Sequence, residues 1–225
     1  MELLFDTANI EEIKKYMQYY PITGITSNPT ILKSEGKINF FAHLKEIRSI
    51  IGLERSLHVQ ILGQSAEQMI KEAEAILKSI DDKVYIKIPT TEEGLKAMSE
   101  LKKRGIGVTA TAIYTKIQGF MAILAGADFI APYCNRMENL DVDFEECIGG
   151  FRKMIDENGS DCKILAASFK NISQVNQAFL AGAQTVTVQP SLLHSCFEMA
   201  AVDKAVKDFQ SDWESIHGDQ SILDF

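Results

Sequence analysis

Eight short β-branched or apolar runs recur along this 225-residue chain, separated by longer stretches with helical periodicity. The runs are Glu2–Asp6, Gly24–Thr26, Leu57–Leu62, Val84–Ile88, Gly107–Thr111, Phe129–Tyr133, Lys163–Ala167 and Thr185–Gln189. Eight strands with intervening helices in this length predict an α/β protein, a (β/α)8 TIM barrel. A doubly wound sheet is the fallback, but it leaves eight strands with edges to protect. No linker, low-complexity segment or composition break divides the chain, so residues 1–225 read as a single domain with C-terminal helices.

Local signals agree with that pattern. Asn9-Ile10-Glu11-Glu12 and Thr90-Thr91-Glu92-Glu93 look like helix starts, a capping side chain followed by acids. Lys102-Lys103-Arg104-Gly105 stops a helix with cations and a glycine, and Gly126 and Gly182 punctuate in the same way. Met137–Gly150 is acidic and then amphipathic, and is expected to decorate the loop after strand six and lead into a helix. The last helix is expected over Ser195–Trp213. There Phe197, Ala201, Ala205, Phe209 and Trp213 fall at steps of four, a stripe that reads as core or a subunit contact.

Composition removes several function classes. The chain is 46% hydrophobic and 24% charged, with a net charge of −8. That balance argues against nucleic acid as a partner, and any anionic ligand needs a local basic site. The N-terminus lacks the pattern of a signal peptide, and no apolar stretch is long enough to span a bilayer, so no membrane role is expected. Cys134, Cys147, Cys162 and Cys196 show neither CxxC spacing nor neighbouring histidines. They read as reduced thiols of a cytoplasmic protein, with no disulfide framework and no metal site. His43, His58, His194 and His217 are too dispersed to form a ligand set.

Lys87 sits inside the apolar run Val84-Tyr85-Ile86-Lys87-Ile88-Pro89. A lysine within a buried strand is costly unless it has a task or snorkels to a partner. Desolvation disfavours the ammonium form, and a neutral amine can attack a carbonyl and hold it as a Schiff base. Barrel active sites lie at the C-terminal strand ends, and those ends deliver Asp6, Asn28, Gln60, Lys87, Thr111, Tyr133 with Arg136, and Ser168 with Lys170. Singly, Asp6 could be a helix-start acid, Asn28-Pro29 a turn and Ser168 a cap. Their convergence on one strand lysine favours catalysis. Tyr133 suits an acid/base role, directly or through a water held by Gln60 and Thr111. Asp6 and Asn28 suit the hydroxyls of a polyol, while Arg136, Ser168 and Lys170 suit a phosphate.

The blocks Leu4-Phe5-Asp6-Thr7-Ala8, Gly24-Ile25-Thr26-Ser27-Asn28-Pro29, Ile86-Lys87-Ile88-Pro89, Ala131-Pro132-Tyr133-Cys134-Asn135-Arg136 and Ala166-Ala167-Ser168-Phe169-Lys170 carry a resemblance. In order and spacing, from Met1 to about Trp213, they resemble the small transaldolase family, specifically its fructose-6-phosphate aldolase branch. The resemblance implies a cytoplasmic class I aldolase barrel without metal or organic cofactor, often a homo-oligomer built as a ring-based decamer. It implies Lys87 as the Schiff-base former, with Asp6, Asn28, Gln60, Thr111 and Tyr133 around it and Arg136, Ser168 and Lys170 near phosphate. Substrates would be sugar phosphates and small ketones or aldehydes.

Two positions separate the branches. Similar transaldolases carry glutamate at the position of Gln60 and phenylalanine at that of Tyr133. A phenol can protonate the enamine left on the lysine and release free ketone, which favours lyase over transferase. Transaldolase remains the runner-up, and a non-catalytic sugar-phosphate-binding barrel is a third reading. His58, Ser27, Thr109-Ala110 and Cys134 depart from the family pattern, and His58 reads as a core histidine.

Overall fold

The computed structural model describes residues 1–225, which form two compact units, Met1–Pro190 and Ser191–Phe225. In the first, eight parallel strands close into a barrel in chain order. The strands are β1 Glu2–Asp6, β2 Gly24–Thr26, β3 Ser56–Gln60, β4 Tyr85–Pro89, β5 Val108–Ile113, β6 Phe129–Pro132, β7 Lys163–Ala166 and β8 Thr185–Val188. The helices up to the sixth strand are α1 Ile10–Tyr16, α2 Pro29–Ser34, α3 Phe40–Ile51, α4 Ala66–Ser79, α5 Glu92–Lys103 and α6 Lys116–Leu124. Then come α7 Cys134–Glu138, α8 Phe144–Glu157, α9 Ile172–Leu180, α10 Pro190–Ser195 and α11 Ala200–His217.

The eight expected strands all form, β1 and β2 with the expected ends and the others shifted by one or two residues. β3 stops at Gln60 rather than Leu62 because Glu72 Oε2 accepts from Leu62 N at 2.7 Å and Gly63 N at 2.9 Å, turning the chain toward α4. β5 begins at Val108, whose N–H donates to Asp128 Oδ2 at 2.7 Å. Asn9 and Thr91 cap their helices by accepting from Glu12 N and Gly94 N. Gly94 has to be glycine, since a Cβ there would lie 2.0 Å from the Pro89 carbonyl oxygen. Its absence lets the first turn of α5 pack directly on the end of β4. Gly126 and Gly182 take the left-handed backbone, φ 85° and 110°, that stops α6 and α9.

Alternation along the strands fixes the interior. Gln60 lies opposite Lys87, Lys87 opposite Thr109, and Pro89 opposite Thr111. One layer lower, His58 lies opposite Tyr85. It is fully buried, stacked on Tyr85 at 4.9 Å and edge-on to Phe129 at 5.0 Å. Its Nδ1 bonds Thr109 Oγ1 at 2.8 Å and its Nε2 bonds Ser56 Oγ at 3.0 Å. Leu4, Phe129 and Leu165 complete this layer. His58 is thus a satisfied core histidine in the floor beneath the lysine.

Residues 137–150 contain the end of α7, a short acidic turn and the start of α8, close to the expected decoration. The C-terminal expectation needs correcting. Ser195–Trp213 is not one helix; α10 ends at Ser195 and α11 runs from Ala200. No residue of α11 is buried, and Phe197 and Phe209 are 65% and 71% exposed, so the apolar stripe is no core of this chain. Periodicity reports an apolar face and says nothing about what covers it. Within the second unit, Trp213 packs against His217 and Phe225 and donates to Gln220 O at 2.7 Å. No helix is long and apolar enough to cross a membrane.

Candidate active site

Lys87 projects from β4 into a cavity at the C-terminal mouth of the barrel. Asp6, Asn28, Tyr133, Arg136, Ser168 and Lys170 share its lining. Seven of the nine residues expected from the sequence therefore meet around one opening. The other two, Gln60 and Thr111, are not part of that lining: Thr111 bonds Tyr133, and Gln60 lines a neighbouring cavity.

Lys87 is 3% exposed, and its Nζ donates to the Ser27 carbonyl oxygen at 3.0 Å. Burial lowers the amine below the usual lysine range, and the carboxyl of Asp6 opposes that shift. Burial also raises Asp6, against the pull of Lys87 and a hydrogen bond from Thr26. The pair is thereby biased toward its neutral forms, a condition for a nucleophilic amine.

Asp6 is held by residues the sequence reading passed over. Thr26 Oγ1 donates to Asp6 Oδ1 at 2.7 Å, and the Thr187 hydroxyl lies 2.7 Å from the same Thr26 oxygen. Both threonines face inward by strand alternation. That signal was available at Thr26, two residues before Asn28, and at Thr187 within the alternating run Thr185–Gln189. Gln189 and Thr30 also line the cavity.

Tyr133 follows the sixth strand directly, at the N-cap of α7, and is 8% exposed. Its hydroxyl accepts from Thr111 Oγ1 at 2.9 Å, and burial raises the phenol above its ordinary range. Thr111 reaches it through a bulge: the β5–β6 register shifts between Ala110 and Ile113, and Ala112 adopts φ 56°. Such a bulge re-aims a side chain beside a site. Gln60 turns toward a separate apolar cavity with Pro29, Leu32 and Phe40. Its Oε1 is buried and has no hydrogen-bond partner within the chain.

Arg136 lies on α7, over the Tyr133 ring at 5.0 Å, with Nη1 donating to Tyr114 Oη at 3.0 Å. Ser168 sits at φ 63°, a left-handed conformation that costs a non-glycine residue and clusters at ligand sites. With Lys170 it lines the same cavity as Arg136. Two cations and a hydroxyl suit a phosphate in an otherwise acidic protein. No group of three or more His, Cys, Asp or Glu side chains is placed to hold a metal ion.

Comparison with known proteins bears on the family and the fold. Residues 3–221 match the family model described as Transaldolase/Fructose-6-phosphate aldolase. A Streptococcus pneumoniae protein named "Probable fructose-6-phosphate aldolase" is 50% identical over 222 residues, covering 99% of this chain and 100% of that protein. The inosine 5′-monophosphate dehydrogenase of Legionella pneumophila superposes with a TM-score of 0.58 at 14% identity. That superposition covers 85% of this chain and 58% of the other, and it supports the barrel alone.

Proposed function

The chain belongs to the transaldolase/fructose-6-phosphate aldolase family, and from that premise we propose that it cleaves and forms a ketose phosphate, such as fructose 6-phosphate, through a Schiff base on Lys87. The observation that carries this reading is the Lys87 amine, buried in a strand, biased toward neutrality and facing Tyr133 and Asp6 across one cavity.

One proton shuttle, Tyr133, is enough to balance the cycle. The neutral Lys87 amine adds to the ketose carbonyl, giving a carbinolamine. Tyr133 protonates the departing hydroxyl; water leaves, and an iminium stands beside a phenolate. The phenolate takes the proton from the C4 hydroxyl as the C3–C4 bond breaks. Its electrons pass into the iminium, which becomes an enamine, and an aldehyde phosphate leaves. Tyr133 then protonates the enamine carbon, the phenolate takes a proton from the attacking water, and free dihydroxyacetone and lysine return. The Thr111 hydroxyl supports the phenolate each time it forms. Gln60 Oε1, lacking a partner within the chain, suits the water that hydrolyses the iminium. Asp6 and Asn28 orient donor hydroxyls, and Arg136, Ser168 and Lys170 hold the phosphate.

Release over transfer rests on Tyr133 and Gln60, since a phenol that protonates the enamine ends the cycle without an acceptor aldose. Transaldolase is the alternative within the family. The test is product analysis with fructose 6-phosphate, with and without erythrose 4-phosphate. Acceptor-free release of dihydroxyacetone supports the aldolase, and turnover only with the aldose supports transfer.

The same reading includes a single functional domain, supported by a family match that spans both units. It also includes a cytoplasmic homo-oligomer. Exposed Val202, Val206, Phe209 and Ile216 on α11 support self-association.

A further inference from the structure

The two walls of the phosphate end belong to different parts of the chain: Arg136 on α7 and Ser168 to Lys170 on the loop after β7. Backbone bonds join their roots, Cys134 N to Ala167 O at 2.9 Å and Asn135 N to Ser168 O at 3.1 Å. Beyond those bonds one buried side chain, Gln174, ties the walls together. It lies in the first turn of α9, is 3% exposed and does not line the cavity. Its Oε1 accepts from Lys170 N at 2.8 Å. Its Nε2 donates to Asn135 Oδ1 at 3.2 Å and to Glu138 Oε2 in a short hydrogen bond. Asn135 and Glu138 flank Arg136 on the same short helix.

The chemistry of this junction selects an amide. The Lys170 N–H can only donate, so it needs an oxygen; the Glu138 carboxylate can only accept, so it needs an N–H. Glutamate at 174 would satisfy Lys170 and set two carboxylates against each other. Methionine would satisfy neither. We propose that Gln174 is a positioning residue for phosphate recognition, setting the separation of Arg136 from Ser168 and Lys170 without touching substrate. This rests on the phosphate reading of those residues given above.

The experiment measures aldol addition of a ketone donor to a phosphorylated and an unphosphorylated aldehyde acceptor of similar length. Gln174→Met should raise KM for the phosphorylated acceptor about tenfold, the scale of one net hydrogen bond. Its kcat, and KM for the unphosphorylated acceptor, should be unchanged. Gln174→Glu should behave similarly. Combining Gln174→Glu with Glu138→Gln returns a donor facing an acceptor and should restore most of the lost KM. Thermal unfolding of each variant reports folding independently. Equal KM rises for both acceptors, or no rescue in the double variant, would overturn the role. Arg136→Ala separates the two layers of the argument. If it does not discriminate between the acceptors, the phosphate reading fails and this inference with it. If it discriminates and Gln174→Met does not, only the positioning role of Gln174 falls.

Discussion

Thr111 Oγ1 donates a hydrogen bond to the Tyr133 hydroxyl oxygen at 2.9 Å, leaving the phenol's own proton free to point elsewhere. Burial raises that phenol above its ordinary range, so in the proposed cycle it stays protonated until a positive iminium forms beside it. In that proposal the tyrosine is an acid at rest and a base only in mid-cycle, which is what a single proton shuttle requires.

Removing the shuttle should therefore separate bond cleavage from product release. Tyr133→Phe is expected to slow acceptor-free cleavage of fructose 6-phosphate by roughly 10²–10⁴-fold, the usual cost of a lost general acid. Thr111→Val keeps the phenol and loses its support, about 0.5–1.5 kcal/mol in kcat/KM. Adding Gln60→Glu to Tyr133→Phe should raise transfer to an added aldose relative to release. Steady-state assays of dihydroxyacetone and of transfer product check all three, and single effects need not add because the groups act through one centre.

Arg136→Ala is expected to raise KM for phosphorylated acceptors by an amount equivalent to about 1.5–3 kcal/mol, the worth of a charge-assisted hydrogen bond. Lys170→Ala should act in the same direction more weakly, because Lys170 is exposed. Unphosphorylated acceptors should be unaffected by either change. An equal loss on both acceptor types would mark Arg136 as a structural residue packed on Tyr133.

The barrel and most of its rim were legible in the sequence because strand alternation is local. Once Lys87 is inward, Tyr85, Thr109 and Thr111 follow from register, and the rim follows from strand ends. Thr26 and Thr187 were missed because a threonine on a strand is ordinary; Thr26 meets Asp6 across the β1–β2 pair, and only closure of the barrel brings Thr187 on β8 to the Thr26 hydroxyl. Gln174 was illegible for the same reason: its partners Asn135 and Glu138 are 39 and 36 residues away. The C-terminal stripe could be read as core or as a subunit contact, because an apolar helical face has the same period whether covered or not, and its exposure removes only the first.

His58 gives the fold an acid limit. Burial holds its imidazole well below the ordinary histidine range, with the Lys87 and Arg48 charges adding to the effect. The unfolded chain binds a proton at this residue below about pH 6.5, while the folded chain does not. Its stabilising contribution is therefore full above that pH and is lost as pH falls toward the depressed folded value. The slope is at most about 1.4 kcal/mol per pH unit. Denaturant unfolding across that range should show the slope in the wild type and a shallower one in His58→Gln, whatever the variant's stability at neutral pH. Identical slopes would mean that other groups set the acid limit.

The central claim is that Lys87 forms the covalent bond, and reductive trapping tests it most directly. Incubation with dihydroxyacetone and borohydride, followed by proteolysis and mass spectrometry, should place the reduced adduct on the peptide containing Lys87, and Lys87→Ala should neither trap the ketone nor cleave fructose 6-phosphate. An adduct on another lysine, or full activity in Lys87→Ala, would contradict the account.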